Sequence, residues 1–218
     1  MKLFIKLSVF TLLITATASA FAYYFWYKPK VSKHPPVRTL HAKNIDHNDA
    51  TFLRVKQKAI SIKDFAKANN YNDTRCFLVD MRIASGLKRF FVYNFKKDSI
   101  ETAGLVTHGS GSDKGTPDLS FSNTPNSNAT SLGRYRIGKP YQGKFGLAYK
   151  LYGLDETNDK AFDRFVVLHS HSCVPNEEVA PQRICESWGC PTVAPAFLSV
   201  LKKYIDNSGK PILLWIYY

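Results

Sequence analysis

The 218-residue chain is predicted to be mainly β, with one helix ahead of the sheet and one near its end. Two observations carry this. Between residues 76 and 170 the apolar residues fall in short continuous or alternating runs separated by turn residues, the mark of strands. Helical spacing of apolar residues is confined to one segment before these runs and one after them. A hydrophobic content of 44% with 14% aromatic is enough to build a core and excludes a disordered composition. There are no internal repeats.

The elements follow in chain order. "MKLFIKLSVFTLLITATASAFAYYFWYKPK" has a basic start, an apolar run from Leu7, and Ala18-Ser19-Ala20, which fits a small-x-small cleavage site. Apolar character nevertheless continues to Tyr27, long enough to span a bilayer and ending in an aromatic belt. Residues 1–27 are therefore read as a signal peptide or a membrane anchor, and both readings send the body out of the cytoplasm. Residues 28–50 form a basic linker with Pro29, Pro35 and Pro36. From 51 to 218 the chain is one catalytic-size domain. Phe52, Leu53, Val55, Ala59, Ile60, Ile62, Phe65 and Ala66 predict a helix over 51–69. "CFLVDM", "FFVYNF", "TAGLVTHG", "GRYRIG", "LAYKLYGL" and "FVVLHS" read as strands. A polar loop over 109–133 is long for a compact domain, and such loops tend to be functional. Phe197, Val200, Leu201, Tyr204 and Ile205 predict a helix over 194–207, stopped by Asn207-Ser208-Gly209, and "PILLWIYY" is a closing strand.

The net charge of +13 is concentrated at the N-terminus: seven basic residues precede Asp46, the first acid. The remainder is only mildly basic and has no Lys/Arg stripe or nucleic-acid motif, so no nucleic-acid partner is expected. The charge leaves open attraction to an acidic partner such as a carboxylate-rich polymer or an anionic membrane.

Of the four cysteines, Cys76 sits in an apolar strand and reads as core. Cys173, Cys185 and Cys190 gather near His169 and His171. No C-x2-C pair is present, so no metal is expected. A cysteine nucleophile needs a neighbouring base and donors for the developing oxyanion. His169 ends the strand "FVVLHS", where a rigid element can aim it. In "SWGCP", Gly189 permits a tight turn that brings the amides around Cys190 together, with Ser187 and Trp188 as supporting residues. His108 in "VTHGSG" is a candidate cleft residue, and His171 shares a face with His169 if that strand continues.

His169, seventeen residues and then Ser187-Trp188-Gly189-Cys190 resemble the H-x14–17-[ST]-x-G-C signature of L,D-transpeptidase catalytic domains. The likeness is closest to the murein L,D-transpeptidase subgroup. "FLVDM", "FFVYNF", "VTHGSG", "SFSNTPNSNATSLGRYRIG" and "YQGKFGLAYKLYGLDETND" fall in the family's order, so the resemblance covers about residues 74–218. It implies a β-sandwich or barrel catalytic fold and a cysteine acyl-enzyme acting on peptidoglycan stem peptides without a cofactor. It further implies Cys190 as nucleophile, His169 as general base, and the backbone carbonyl of Ser170 orienting the imidazole. This chain departs from the pattern at Ser170, where glycine is usual, and at Trp188, where histidine is frequent. Cys185 and Glu186 stand where the subgroup has glycine and arginine. With water as acceptor the same site is a carboxypeptidase or endopeptidase. If the departures mark a decayed site, the domain is a wall-binding module. Cys173 and Cys185 lie where relatives are not expected to have cysteine. An oxidising compartment permits them to bridge, closing a loop of roughly 13 residues that would stabilise by about 3 kcal/mol and leave Cys190 free.

Overall fold

The computed structural model describes residues 49–116 and 118–218, together with Thr17 and Phe21. All but two residues of the signal-or-anchor segment, and nearly all of the basic linker, lie outside the described residues. Among the described residues no helix is long and apolar enough to cross a membrane.

Helix α1 (Asp49–Ala68) opens the domain. The strands are β1 (Arg75–Asp80), β2 (Phe90–Asn94), β3 (Ser99–Gly104), β4 (Gly133–Gly143), β5 (Gly146–Gly153), β6 (Val167–Ser170), β7 (Thr192–Val193) and β8 (Leu213–Tyr217). Helix α2 (Pro195–Asp206) separates β7 from β8. All eight strands form one mixed sheet in the order β3-β2-β1-β8-β4-β5-β6-β7. The β1–β8 and β6–β7 pairs are parallel and the rest antiparallel. The two edges meet. Past β3 the chain bridges from Val106 to Val193 on β7, and Thr107 N–H donates to Thr192 O at 2.9 Å. This curls the sheet round and draws His108 and Gly109 toward the β7 end.

Side-chain alternation splits the core in two. On β1, Phe77 and Val79 enter the larger cluster with Phe90, Tyr135, Tyr149 and Leu168. Phe197, Leu198 and Leu201 of α2 join that cluster, and the Phe197 ring meets the Phe90 ring edge-on at 5.4 Å. On the other face, Cys76 and Leu78 pack with Val55, Ala59, Ile62 and Ala66 of α1. Cys76 is a buried thiol that burial pushes well above its ordinary range. Leu53 and Ile60, counted toward the apolar face of the first helix, are instead exposed, because the buried stripe runs through 55, 59, 62 and 66.

The run "TAGLVTHG" splits. Its first three residues end β3, and the rest leaves that strand to cross to the far edge. The two-residue strand β7 carries too little pattern to be seen in the sequence.

Candidate active site

The segment Ser187–Cys190 is pinned at both ends. Ser187 N–H donates to His108 O at 2.9 Å, and Ser110 N–H donates to Ser187 O at 2.8 Å. Ser187 Oγ donates to Cys190 O at 2.7 Å and accepts from Gly189 N–H at 3.2 Å. Gly189 has φ +105, and a Cβ there would lie 2.8 Å from Ala129 O, so the turn admits only glycine. The Gly189 amide is thus tied to Ser187. Among the described residues the amide of Cys190 itself has no hydrogen-bond partner, and it is the free donor beside the thiol. The Trp188 side chain is 82% exposed and projects from the turn.

The Cys190 thiol is half-buried and free. Its Sγ accepts from Val167 N–H at 3.4 Å and lies 3.6 Å from Phe165 O. Burial pushes the thiol up, while the Val167 amide and the Arg164 cation pull it down. Phe165 takes φ +56, a left-handed conformation costly for a bulky residue, and its side chain is exposed.

Arg164 was not singled out in the sequence. Its Nη1 donates to Ser122 O at 2.9 Å and Ser131 Oγ at 3.1 Å; its Nη2 donates to Ala129 O at 2.7 Å and Ser127 Oγ at 3.3 Å. Nη2 stands 3.4 Å from where a Gly189 Cβ would be. Among the described residues no carboxylate pairs with it, so its charge is uncompensated next to the thiol. The polar loop at 119–132 is held by this side chain. The length of that loop was the only signal in the sequence that something had to anchor it.

His169 on β6 is opposite Thr192 in the parallel register with β7. Its Nδ1 is 3.1 Å from Ser170 O and its Nε2 is 2.9 Å from Thr192 Oγ1. A carbonyl only accepts, so Nδ1 carries the proton of the neutral ring and Nε2 presents a lone pair to the threonine hydroxyl. The Phe145 ring from the β4–β5 turn stacks on the imidazole at 5.3 Å. Burial lowers the imidazole's affinity for a proton, the Ser170 carbonyl raises it, and His171 lowers it. Among the described residues no hydrogen bond joins His169 to Cys190, so thiol and imidazole are each engaged by other groups. Neither Thr192 nor Phe145 carried a recognisable signal in the sequence.

His171 lies one residue beyond β6. Its N–H donates to Val193 O at 3.1 Å, its Nδ1 accepts from Cys173 N–H at 3.1 Å, and its ring meets the edge of Phe145 at 5.4 Å. It therefore flanks His169 through a shared aromatic neighbour. Cys173 and Cys185 form a disulfide with Cα atoms 6.0 Å apart, tying the exit of β6 to the segment that leads into the Ser187–Cys190 turn.

His108 is buried on the other side of that turn. Arg89 Nη2 donates to its Nδ1 at 3.0 Å, so the neutral ring carries its proton on Nε2. Nε2 has no hydrogen-bond partner and points toward Glu186 Oε1 at 3.6 Å. Burial and the Arg89 cation push His108 down to about 4. His108, Asp113 and Glu186 lie close enough to suggest a cation site. The donor chemistry argues against it: a metal on Nε2 would need Nδ1 to hold the proton, against an arginine that can only donate. Asp113 is moreover paired with Arg183.

Over residues 47–217 the chain matches a family model described as L,D-transpeptidase catalytic domain. A comparison with curated proteins finds no match. Among solved structures the chain is similar to Bd1075 of Bdellovibrio bacteriovorus, at 17% identity over 68% of this chain and 49% of that one, with a TM-score of 0.41. It is also similar to the helical cell shape determining protein Pgp2 of Campylobacter jejuni, at 14% identity over 71% and 54% of the two chains and a TM-score of 0.41. A third is an L,D-transpeptidase of Xylanimonas cellulosilytica, at 12% identity over 71% and 68%, with a TM-score of 0.35. The chain spans about half the length of the first two. These structural likenesses are too loose to carry an argument, but the sequence match takes in most of the chain, and by it the chain belongs to the L,D-transpeptidase catalytic domain family.

Proposed function

We infer that this protein is an extracytoplasmic cysteine L,D-transpeptidase acting on peptidoglycan stem peptides through a thioester at Cys190. The observation that carries this reading is the free thiol of Cys190, set between an unpaired backbone amide and an arginine cation at the end of the strand pair that holds His169. Cys190 Sγ attacks the carbonyl carbon of the donor's L-to-D peptide bond. The thiol proton passes to His169 Nε2, and the negative charge that develops on the carbonyl oxygen faces the free Cys190 N–H. Collapse breaks the C–N bond. The leaving D-amino acid takes the proton from Nε2, and the acyl group remains on sulfur. An acceptor amine then attacks the thioester, gives its proton to Nε2 and carries the acyl group away, and the sulfur regains its proton.

The carbonyl of Ser170 supports the base by fixing the tautomer. Ser187 and Gly189 hold the turn, and Trp188, His171 and His108 border it. The Cys173–Cys185 bridge and the apolar N-terminus favour an oxidising compartment outside the cytoplasm, with residues 1–27 as a signal peptide or tether.

The test is product analysis with purified disaccharide-tetrapeptide fragments. Cross-linked dimers are expected. Trimmed monomers alone would move the reading to a carboxypeptidase or endopeptidase with water as acceptor. Unchanged substrate, with no adduct on the protein under reducing conditions, would leave a wall-binding module.

A further inference from the structure

Thr192 lies two residues after the nucleophile, and its side chain is buried against one titratable group. Its Oγ1 is 2.9 Å from His169 Nε2, the nitrogen opposite the one held by Ser170. Its only other acceptor among the described residues is Cys190 O, at 3.4 Å. Because Nδ1 keeps its proton on the Ser170 carbonyl, the threonine hydroxyl donates to Nε2 while the ring is neutral. A hydroxyl can also accept. When Nε2 gains a proton, N–H donates to Oγ1 and the hydroxyl hydrogen turns toward Cys190 O. Both states are satisfied by a rotation of one O–H bond, with no movement of the ring.

The geometry points to Thr192 as the positioning residue for the base: it holds His169 in the Nδ1–H tautomer at rest and stabilises the imidazolium once the Cys190 proton has arrived. This rests on the reading of Cys190 and His169 as nucleophile and base. In the step itself the S–H bond breaks, its electron pair stays on sulfur, and the proton forms the Nε2–H bond. The imidazolium hydrogen bond is charge-assisted, whereas the bond it replaces is neutral, so Thr192 favours the charged pair. A valine in its place would keep the shape and leave Nε2–H with no acceptor.

The groups around this pair are few. His171, on the continuation of β6, is the titratable neighbour that bears on His169. Arg164, in the turn before β6, bears on Cys190. From the β4–β5 hairpin, Lys144 lies 5.6 Å from the centre of the Phe145 ring that stacks on His169. No carboxylate among the described residues bonds to either ring nitrogen, so the hydroxyl is the one group that changes its bonding with the proton.

The experiment is the pH dependence of iodoacetamide alkylation at Cys190, read by intact mass. Cys76 is buried and Cys173 and Cys185 are bridged, so Cys190 is the reactive thiol and Cys190→Ala gives the background. In Thr192→Val the alkylation inflection is expected to move up by about one pH unit, with the rate at pH 7 falling about tenfold. Thr192→Ser should restore the wild-type inflection. A Thr192→Val profile that overlays the wild type would overturn the proposal. So would a uniform loss of rate at every pH with the inflection unmoved, since that is what a purely structural role produces. If Thr192→Val loses its melting transition, the wild-type protein still decides. The imidazole nitrogen-15 spectrum of neutral His169 must show the Nδ1–H tautomer, and the Nε2–H tautomer would contradict the assignment. None of these readouts uses a stem peptide. Failure of the transpeptidase reading appears separately, as an absent peptide adduct with the alkylation profiles unchanged.

Discussion

Two buried histidines flank the Ser187–Cys190 turn, and their surroundings assign them different chemistry. His169 is held by neutral oxygens, the Ser170 carbonyl on Nδ1 and the Thr192 hydroxyl on Nε2. Either ring state finds partners there. His108 has an arginine on Nδ1 and an unpaired Nε2, and burial with that cation pushes it down to about 4. A proton added to His108 would put two cations within 3.0 Å of each other in a buried site. Burial is common to both, so burial does not make a base. What separates them is whether the partner of the ring tolerates a charge.

The widest separation is expected in catalysis. His169→Gln should lower kcat/KM by about 10²- to 10⁴-fold, the range for loss of a general base. His108→Gln, which keeps a donor near Glu186, should cost no more than about tenfold; equal losses in steady-state kinetics would break the comparison. Next in size is the brace behind His169. Replacing Cys173 and Cys185 together by serine should cost about 3 kcal/mol in denaturant unfolding, by the loop-closure argument. Cys190 alkylation should stay unchanged in that variant; a large change would mean that the bridge also positions the thiol.

A smaller effect is expected at Arg164. Arg164→Met should raise the pH inflection of Cys190 alkylation by about one unit, because burial then acts on the thiol with less opposition. Arg164→Lys should keep the inflection while lowering stability, since an ammonium cannot reproduce the guanidinium's bonds to Ser122, Ala129 and Ser131. The smallest effect concerns His108 and stability. A histidine held neutral by the fold takes up its proton first in the unfolded chain. Its contribution is complete above pH 6.5 and is lost as the pH falls toward 4. His108→Gln should flatten the fall in melting temperature over that window, and an unaltered slope would show that His108 is not held neutral.

The legible parts of the sequence were those with a strong local pattern. Short continuous apolar runs in "CFLVDM" and "FFVYNF" marked β1 and β2, and helical spacing marked α1 and α2 to within two residues. "SWGC" stood out because glycine before cysteine marks a backbone requirement, and Gly189 takes φ +105 against Ala129 O. The second half of "TAGLVTHG" misled because its apolar residues serve the crossing between sheet edges and not the ladder of β3. Arg164, Thr192 and Phe145 were invisible for a common reason. Each acts across a long sequence separation, on Ser131, His169 and His169 respectively, and a single chain read in order contains no trace of such pairings. Glu186 stood out as a departure from the family pattern, but its approach to His108 came only with the fold.

In the proposed mechanism Cys190 carries the acyl group. Intact mass spectrometry after incubation with disaccharide-tetrapeptide fragments and no acceptor tests it directly. One adduct is expected on wild-type protein and on His108→Gln, a gain equal to the donor's mass less that of the released D-amino acid. That adduct should be released by hydroxylamine and absent from Cys190→Ala. An adduct of the same mass on Cys190→Ala, or product formation by that variant at the wild-type rate, would contradict it.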